Sequence, residues 1–185
     1  TGIIEGLYEN IRTQKHDFMN VLFSIKGYID SNRIDELKDY YYNSVLKEYG
    51  ESQPNHYLSS LNLINNPGLK GILSFKLNQA VSLNIMVQVN IFSDIVISGI
   101  DTIDLCKLVG ILIDNAIEAS VESTQPEIHL GMESDDLTTS IIIANSYLQE
   151  PNVNMIFKRG FSTKGKNRGL GLYVAKYILS QYPSV

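Results

Sequence analysis

The sequence predicts an α+β protein in which an N-terminal helical hairpin precedes an α/β sandwich with helices on one face of a mixed sheet. Three observations support this fold class. Apolar residues recur at helical spacing along residues 4–49, a polar stretch follows at residues 50–67, and helical and alternating segments then mix to the end of the chain. The predicted helices and strands do not alternate strictly, as they would in a doubly wound sheet.

The bulk composition is that of a globular protein and excludes several functional classes. The chain has 185 residues, of which 44% are apolar and 19% charged, so one domain or two small ones are expected. A net charge of −5 argues against nucleic-acid binding. The single Cys106 indicates a reducing compartment and an inert buried thiol. No apolar stretch reaches the roughly 18 residues that span a bilayer, and no signal peptide is evident, so the chain is predicted to be soluble.

Residues 1–50 are predicted to form the helical hairpin. A heptad repeat places Ile4, Ile11, Phe18 and Ile25 on one stripe of the first helix. Asp30 or Ser31 is expected to cap a second helix at residues 34–49. Two such helices bury too little apolar surface to be stable alone, so two hairpins are expected to pair as a dimeric four-helix bundle.

Residues 51–66 are predicted to be a linker with a short apolar element, and residues 67–185 to form the α/β domain. Pro67 opens a helix to about residue 82, and Asp101 or Thr102 opens a longer one to about residue 121. The expected strands are 86–92, 95–97, 127–132 and 139–144, and a last helix is expected at 172–179.

A glycine-rich basic run precedes that last helix and indicates polyphosphate binding. Glycines let the backbone approach an anion, hydroxyls and cations can contact it, and the helix N-terminus would face it. The alternative is a flexible surface turn. The residues of interest are Ser162, Thr163, Lys164, Gly165, Lys166, Arg168, Gly169, Leu170 and Gly171.

His16, Asp17 and Asn20 form a second candidate group on the first helix. The heptad register places His16 at an f position, facing solvent, which excludes a core histidine. Asn20 lies one turn further on the same face. The Asp17 carboxylate reaches the imidazole only through a favourable rotamer, and it would then leave one ring nitrogen as a nucleophile. The alternative is an ordinary surface histidine.

Asp114, Asn115 and Glu118 bring oxygen atoms to one edge of the long helix within a turn. Hard oxygen ligands suit Mg²⁺, which keeps several waters and shares the phosphates of a bound nucleotide. The alternative is the solvated face of an amphipathic helix.

Taken together and in order, the three motifs resemble sensor histidine kinases of the AgrC-like, peptide quorum-sensing group. The matching motifs are HDFMN at 16–20, LIDNAIEAS at 112–120, and FSTKG with RGLGL at 161–172. The resemblance implies a dimerisation and histidine-phosphotransfer hairpin followed by a GHKL-type (Bergerat) ATP-binding domain. It implies ATP and Mg²⁺ as cofactors, a homodimer with a response regulator as partners, and a membrane only through an absent N-terminal sensor region. The chain is then the cytoplasmic portion of a bacterial membrane receptor.

Carried over by position, the resemblance makes His16 the phosphoacceptor, Asp17 its acid/base partner, and Asn115 the Mg²⁺ ligand. Asn20 resembles the residue that orients water during dephosphorylation of the regulator in bifunctional kinases. The nucleotide-binding residues that it implies are Asp114, Asn115, Ser162, Thr163, Lys164, Gly165, Arg168, Gly169, Leu170 and Gly171.

The sequence also departs from the wider family. Most GHKL proteins have an Asp-x-Gly-x-Gly motif, whose carboxylate holds the adenine amino group, after the middle strand. This chain has Asn145 there and lacks the acid and the glycines, as the AgrC-like group does, so the resemblance makes Asn145 the candidate for binding adenine. The chain is expected to be truncated before a final strand or two. Gyrase- and Hsp90-type ATPases place a water-activating glutamate where this chain has Ile111, which disfavours hydrolysis. A non-enzymatic dimeric scaffold is the other alternative. The sequence therefore predicts a histidine autokinase.

Overall fold

The structure is a computed structural model that describes residues 2–45, 59–153, 155–158, 170–183 and 185, with the side chains of 2–5 and 7 excepted. It divides into two compact units, Thr1–Glu51 and Ser52–Val185. The predicted linker at 51–66 lies partly outside the described residues and stays a prediction. Among the helices described, none is both long and apolar enough to cross a bilayer.

The first unit is a helical hairpin. Helix α1 (Gly2–Asp30) leads through a tight turn into α2 (Ile34–Tyr40), and the rings of Tyr28 and Tyr40 pack with centroids 5.4 Å apart. Chain reversal depends on Asn32, whose φ of 55° is the left-handed conformation that asparagine tolerates after a helix. The amide of Arg33 then donates to the carbonyl of Tyr28 at 2.9 Å and closes the end of α1.

One local prediction for the hairpin was wrong. Asp30 and Ser31 do not cap α2, because α1 runs to Asp30, where the carboxylate pairs with Lys26, and α2 starts only after Arg33. The second helix was expected to continue to residue 49; it is α-helical over Ile34–Tyr40 and π-helical over Tyr41–Val45, and residues 46–49 lie outside the described residues.

The described residues of the hairpin have no buried core of their own. None of the residues of α2 is buried, and apolar side chains along α1 are open to solvent. Phe18 is 57% exposed and Ile11 is 59% exposed, although both belong to the predicted inward stripe. This stripe is therefore available to a partner helix.

The second unit follows the predicted order of elements closely. The elements are a 3-10 turn (Ser60–Leu63), α3 (Pro67–Ser82), β1 (Met86–Ile91), α4 (Thr102–Val121), β2 (Glu127–Ser134), β3 (Thr139–Asn145) and α5 (Gly171–Ser180). Side chains cap two of these helices. Asn66 accepts from the amide of Leu69 at 2.9 Å, and Asp101 accepts from the amide of Ile103 at 2.8 Å.

The described sheet is mixed, as the sequence predicted. β1 pairs parallel with β2, and β2 pairs antiparallel with β3, in the order β1-β2-β3. α3 and α4 pack together and cover one face, on which alternate strand residues such as Val87, Ile128 and Leu130 are buried. The other face remains accessible, and Ile142 on β3 is 64% exposed.

Residues 95–97 do not form the additional strand that was expected. Ile95 makes an isolated parallel bridge with Ile64. In this bridge the amide of Ile95 donates to the carbonyl of Leu63 at 2.7 Å. Ile95 is fully buried beneath this bridge. The burial of this one side chain therefore does not indicate a strand at residues 95–97.

Two clusters of buried residues hold the second unit together. The larger lies between the sheet and α3 and α4, and burial of this apolar surface is the main favourable term in the stability of the unit. The smaller attaches α5 to α4 through Leu108, Ala175 and Ile178. Tyr182 adds a hydrogen bond of 2.7 Å from its hydroxyl to Asp104. The position of α5 against α4 is therefore set by packing along its length.

Candidate functional site

Asn115 lies on the side of α4 that faces α5. Its side-chain Nδ2 donates to the carbonyl of Ile111 at 2.7 Å, one turn earlier on the same helix. This bond orients the amide, so that Oδ1 is the atom left to accept a cation or a donor. No described residue donates a hydrogen bond to Oδ1.

The N-terminus of α5 meets α4 at Asn115. A Cβ placed on Gly171 would lie 3.6 Å from Asn115 Nδ2 and 3.3 Å from Ile111 Cγ2. The residue before the helix is Leu170, whose side chain cannot accept a hydrogen bond from the first turn. Among the described residues, no side chain caps the first amides of α5 beside the Asn115 amide, and this arrangement suits an anion.

The central part of the predicted phosphate-binding run lies outside the described residues. Leu170 and Gly171 are described, at the start of α5. The roles of the remaining predicted residues stay predictions. These residues are Ser162, Thr163, Lys164, Gly165, Lys166, Arg168 and Gly169.

Asp114 is directed away from Asn115. Its Oδ1 lies 2.6 Å from Nζ of Lys76 on α3, and the side chains of Lys76 and Asp114 are 16% and 47% exposed. Successive residues on a helix are about 100° apart, so Asp114 faces α3 while Asn115 faces α5. Asp114 therefore carries an interhelical ion pair. The sequence signal for its partner was a lysine in the apolar register of α3.

The chemistry of the residues fits Mg²⁺ shared with a bound phosphate. Within the described ranges, no group of three His, Cys, Asp or Glu residues could hold a metal ion. A dedicated protein cage for a metal is therefore not found in that part of the chain. Asn115 Oδ1 beside an uncapped helix N-terminus suits an octahedral ion that draws its other ligands from water and phosphate.

Asn145 closes β3 on the face that the helices cover. It pairs across the sheet with Ile128, which is fully buried, and its side-chain Nδ2 donates to the carbonyl of Ser146 at 2.8 Å. Ser146 belongs to a polar cluster with Ser120 at the end of α4, Ser123, and Glu127 at the start of β2. The Glu127 amide donates to Ser146 Oγ, and Ser120 Oγ donates to the Glu127 carbonyl. No sequence pattern indicated this cluster, because single serines are common and carry no spacing signal.

Ile111 is an apolar residue at the position where gyrase- and Hsp90-type ATPases place a water-activating glutamate. Ile111 is half-buried, and its Cγ2 packs against the start of α5 at Gly171. A branched hydrocarbon cannot accept a proton, so nothing at this position activates water for attack on a phosphate.

Cys106 lies partly buried on α4. Burial, with a smaller effect of the Asp101 carboxylate, raises the pKa of its thiol. The thiol therefore stays protonated near neutral pH and is a poor nucleophile.

The His16 group on α1 is exposed and local. The side chains of His16 and Asp17 are 74% and 65% exposed. Asn20 Nδ2 lies 3.2 Å from His16 Nδ1, whereas Asp17 Oδ1 is 3.6 Å from the same atom, beyond normal hydrogen-bond distance. Both neighbours thus approach Nδ1, and no described residue is hydrogen-bonded to Nε2.

Two family descriptions match successive parts of the chain. Residues 2–53 match the α-helical domain of the SpoOB-type sensor kinases. Residues 100–185 match the GHKL domain. The first match ends close to the division between the two units at residues 51 and 52, and the second match lies within the second unit.

Sensor kinases are similar to nearly the whole chain. A probable C4-dicarboxylate sensor kinase of Halalkalibacterium halodurans is 28% identical over 98% of this chain and 34% of its own length. The sensor histidine kinase DcuS of Escherichia coli K12 is 30% identical over 90% of this chain and 30% of its own length. The chain thus spans about a third of the curated relatives it matches. Neither name refers to a peptide signal, so the narrower resemblance to peptide quorum-sensing kinases gains no support.

The fold of the second unit is that of histidine kinase catalytic domains. The catalytic domain of the histidine kinase ThkA superposes with a TM-score of 0.54 at 21% identity, covering 64% of this chain and 78% of that domain. A second structure of the same domain gives a TM-score of 0.53. The predicted fold class, a helical hairpin followed by a GHKL domain with a mixed sheet, is confirmed.

Proposed function

We propose that this chain is the phosphotransfer and catalytic portion of a sensor histidine kinase in a two-component system. In this proposal His16 takes the γ-phosphoryl group of ATP and passes it to an aspartate of a response regulator. The observation that carries the proposal is the contact between Asn115 and the uncapped start of α5 at Gly171, within a GHKL fold. The match of residues 2–53 to a sensor-kinase helical domain supports it.

The second unit would hold the nucleotide. The amides of the first turn of α5 would bind phosphate oxygens, and Asn115 Oδ1 would hold Mg²⁺. When bound, Mg²⁺ neutralises charge on the phosphates and fixes their orientation. The apolar Ile111 would keep an activated water away, so that the phosphoryl group goes to a side-chain nucleophile rather than to water.

The first unit would supply that nucleophile. Attack by His16 Nε2 requires the ring proton on Nδ1, so Asp17 must replace the Asn20 amide, a donor, as the hydrogen-bond partner of Nδ1. Nε2 then attacks the γ-phosphorus, the bond to the bridging oxygen breaks, and ADP leaves. The ring becomes positively charged, and the Asp17 carboxylate at 3.6 Å from Nδ1 stabilises that charge. Such transfer depends on positioning and charge neutralisation rather than on covalent chemistry by the enzyme.

A second copy of the hairpin is the proposed partner of the first unit. The exposed stripe that includes Ile11 and Phe18 supports this, since two helices without a buried core are unstable alone in water. The whole protein is proposed to be a membrane receptor with this chain on its cytoplasmic side. This proposal is supported by the names of the matched relatives, which are those of sensor kinases, together with their greater length.

The test is incubation with γ-labelled ATP in the presence and absence of Mg²⁺. Mg²⁺-dependent label that is labile to acid and stable to base is expected on the protein. Asn115→Ala should lose this label, whereas Asn90→Ala, an amide on β1 away from α5, should keep it. Release of free phosphate without labelled protein would show an ATPase instead. Absence of both would refute the proposal.

A further inference from the structure

The Lys76–Asp114 ion pair lies on the flank of α4 that faces α3. Ile72 of α3 packs against Gly110 of α4, where an added Cβ would lie 3.7 Å from Ile72 Cγ1. One helical turn further along both helices, Lys76 Nζ lies 2.6 Å from Asp114 Oδ1. The Lys76 side chain is 16% exposed, whereas that of Asp114 is 47% exposed. The ammonium group is therefore largely enclosed, and the carboxylate is open to solvent on one side.

This carboxylate lies close to the proposed phosphate site. Asp114 immediately precedes Asn115, so the two side chains are about 100° apart around α4 and about 1.5 Å apart along its axis. That geometry separates the carboxylate from Asn115 Oδ1 by roughly 10 Å, which is about one Debye length at 0.1 M salt. A negative charge at that distance repels a polyphosphate. An unpaired Asp114 would therefore weaken binding at the start of α5.

The stability of the fold does not account for a lysine at this position. An ion pair with a half-exposed carboxylate contributes little to the free energy of folding, because water screens the attraction. Burial of most of an ammonium group has a desolvation cost that offsets this gain. The pair has a larger effect on the charge around it, because the field of a neutral pair falls off faster with distance than the field of a carboxylate alone.

We propose that Lys76 controls the affinity of the site for polyphosphate by cancelling the charge of Asp114. This inference rests on the proposed function, because it assumes that a nucleotide binds beside Asn115. Lys76 acts through Asp114 and is not a phosphate ligand, since its ammonium group is engaged on the α3 side of α4. A polyphosphate thus approaches a neutral pair in place of a carboxylate.

The expected magnitude follows from Coulomb's law. At roughly 10 Å, and at an effective dielectric constant between those of water and protein, one uncompensated charge changes the affinity for Mg²⁺-bound ATP about fivefold at low ionic strength. The effect should be smaller for Mg²⁺-bound ADP, which carries less negative charge, and absent for adenosine. In about 1 M salt, where the Debye length is about 3 Å, it should largely disappear.

The experiment measures these affinities by calorimetry in wild-type protein and three variants. Lys76→Met leaves Asp114 unpaired and should lower the affinity for Mg²⁺-bound ATP about fivefold. Asp114→Asn leaves the Lys76 charge uncompensated and should raise this affinity several-fold. The double variant should return it to within about twofold of wild type. A purely structural role predicts a loss in both single variants, because each breaks the same contact, so opposite signs identify the electrostatic role.

Lys107→Met is the matched control. Lys107 also pairs with a carboxylate, that of Asp104 at 3.5 Å, but it lies about 12 Å before Asn115 along the axis of α4. Its loss should change the affinity for Mg²⁺-bound ATP by less than about twofold. A loss in this control equal to that in Lys76→Met would show a general dependence on surface charge and would overturn the assignment to Lys76.

The inference is also overturned if both single variants bind Mg²⁺-bound ATP more weakly, if neither changes its affinity, or if the change persists in about 1 M salt. Thermal unfolding reports whether each variant folds. Should Lys76→Met be unfolded, Asp114→Asn decides alone, since an unchanged or lowered affinity in that variant contradicts the proposal. Failure of wild-type protein to bind both ATP and inorganic tripolyphosphate would instead refute the proposed function itself.

Discussion

The two units hold their candidate chemistry in different ways. On the hairpin, His16, Asp17 and Asn20 lie within five residues on one exposed helix, and their contacts are between neighbours in sequence. In the second unit, Asn115, Asn145 and Gly171 come from α4, β3 and α5, and only packing brings Gly171 against Asn115.

This difference determines how each site responds to change. A group set by helical periodicity survives as long as the helix does, since residues i and i+4 are neighbours on any α-helix. A group assembled from three elements depends on the core beneath them. Loss of a functional group should therefore be the most damaging change on the hairpin. A change of side-chain volume should be the most damaging change in the second unit.

The largest expected effect is on the hairpin. His16→Gln should abolish phosphoryl incorporation while ATP binding stays near normal, because the nucleophile is lost and the nucleotide site is in the other unit. Acid-labile label from γ-labelled ATP measures the first, and calorimetry the second. His129→Gln is the matched control, since His129 pairs with Glu127 on the open face of the sheet. Retained label in His16→Gln would break the comparison.

Asp17→Asn should slow autophosphorylation roughly a hundredfold, as for a lost acid/base partner, without unfolding the helix. The cause is loss of the carboxylate near Nδ1, where the described neighbours of His16 converge. Initial rates of labelling measure the effect. Asp30→Asn, which also removes a carboxylate from α1, is the control and should leave the rate within about twofold. Equal rates for both variants would make Asp17 a solvated neighbour only.

Gly171→Ala tests the assembled site by shape alone. The added methyl group would press on Ile111 Cγ2 at 3.3 Å and approach Asn115, so ATP·Mg²⁺ affinity should fall about tenfold. Gly71→Ala on α3 is the control, because an added Cβ there has nothing within 4 Å. It should leave affinity unchanged and stabilise the helix by about 1 kcal/mol. Calorimetry and thermal unfolding give both quantities, and unchanged affinity in Gly171→Ala would contradict the assembled site.

The smallest expected effect concerns Asn20. If its amide orients a water toward a phosphorylated regulator, Asn20→Asp should lower regulator dephosphorylation several-fold while sparing much of the kinase activity. The decay rate of purified phosphorylated regulator is the measurement. Asn10→Asp, an exposed amide earlier on α1, is the control. Equal decay with wild-type and Asn20→Asp protein would remove this role.

Much of the second unit could be predicted because its signals are local and strong. Pro67 and Asp101 mark the starts of α3 and α4, and alternation marks β2 and β3, so these elements were placed within one or two residues. The strand expected at 95–97 was wrong because burial of Ile95 results from its bridge to Ile64, a long-range contact. The π turn at Tyr41–Val45 was not predicted, because such a turn leaves no pattern that differs from a continuing α-helix.

The sequence by itself determined the division into a hairpin and an α/β domain, the solvent-facing register of His16 and Asn20, and the residue types available for phosphate and metal. Helical and strand periods encode these features, and they act over a few residues. Only the tertiary structure decided that Asp114 pairs with Lys76, that Gly171 meets Asn115, and that Ser146 orients the Asn145 amide. The first two contacts join residues on different elements. The third depends on Ser146, which hydrogen bonds with Ser123 and Glu127 hold in place. Their geometry is set by how the helices pack on the sheet, which no local pattern encodes.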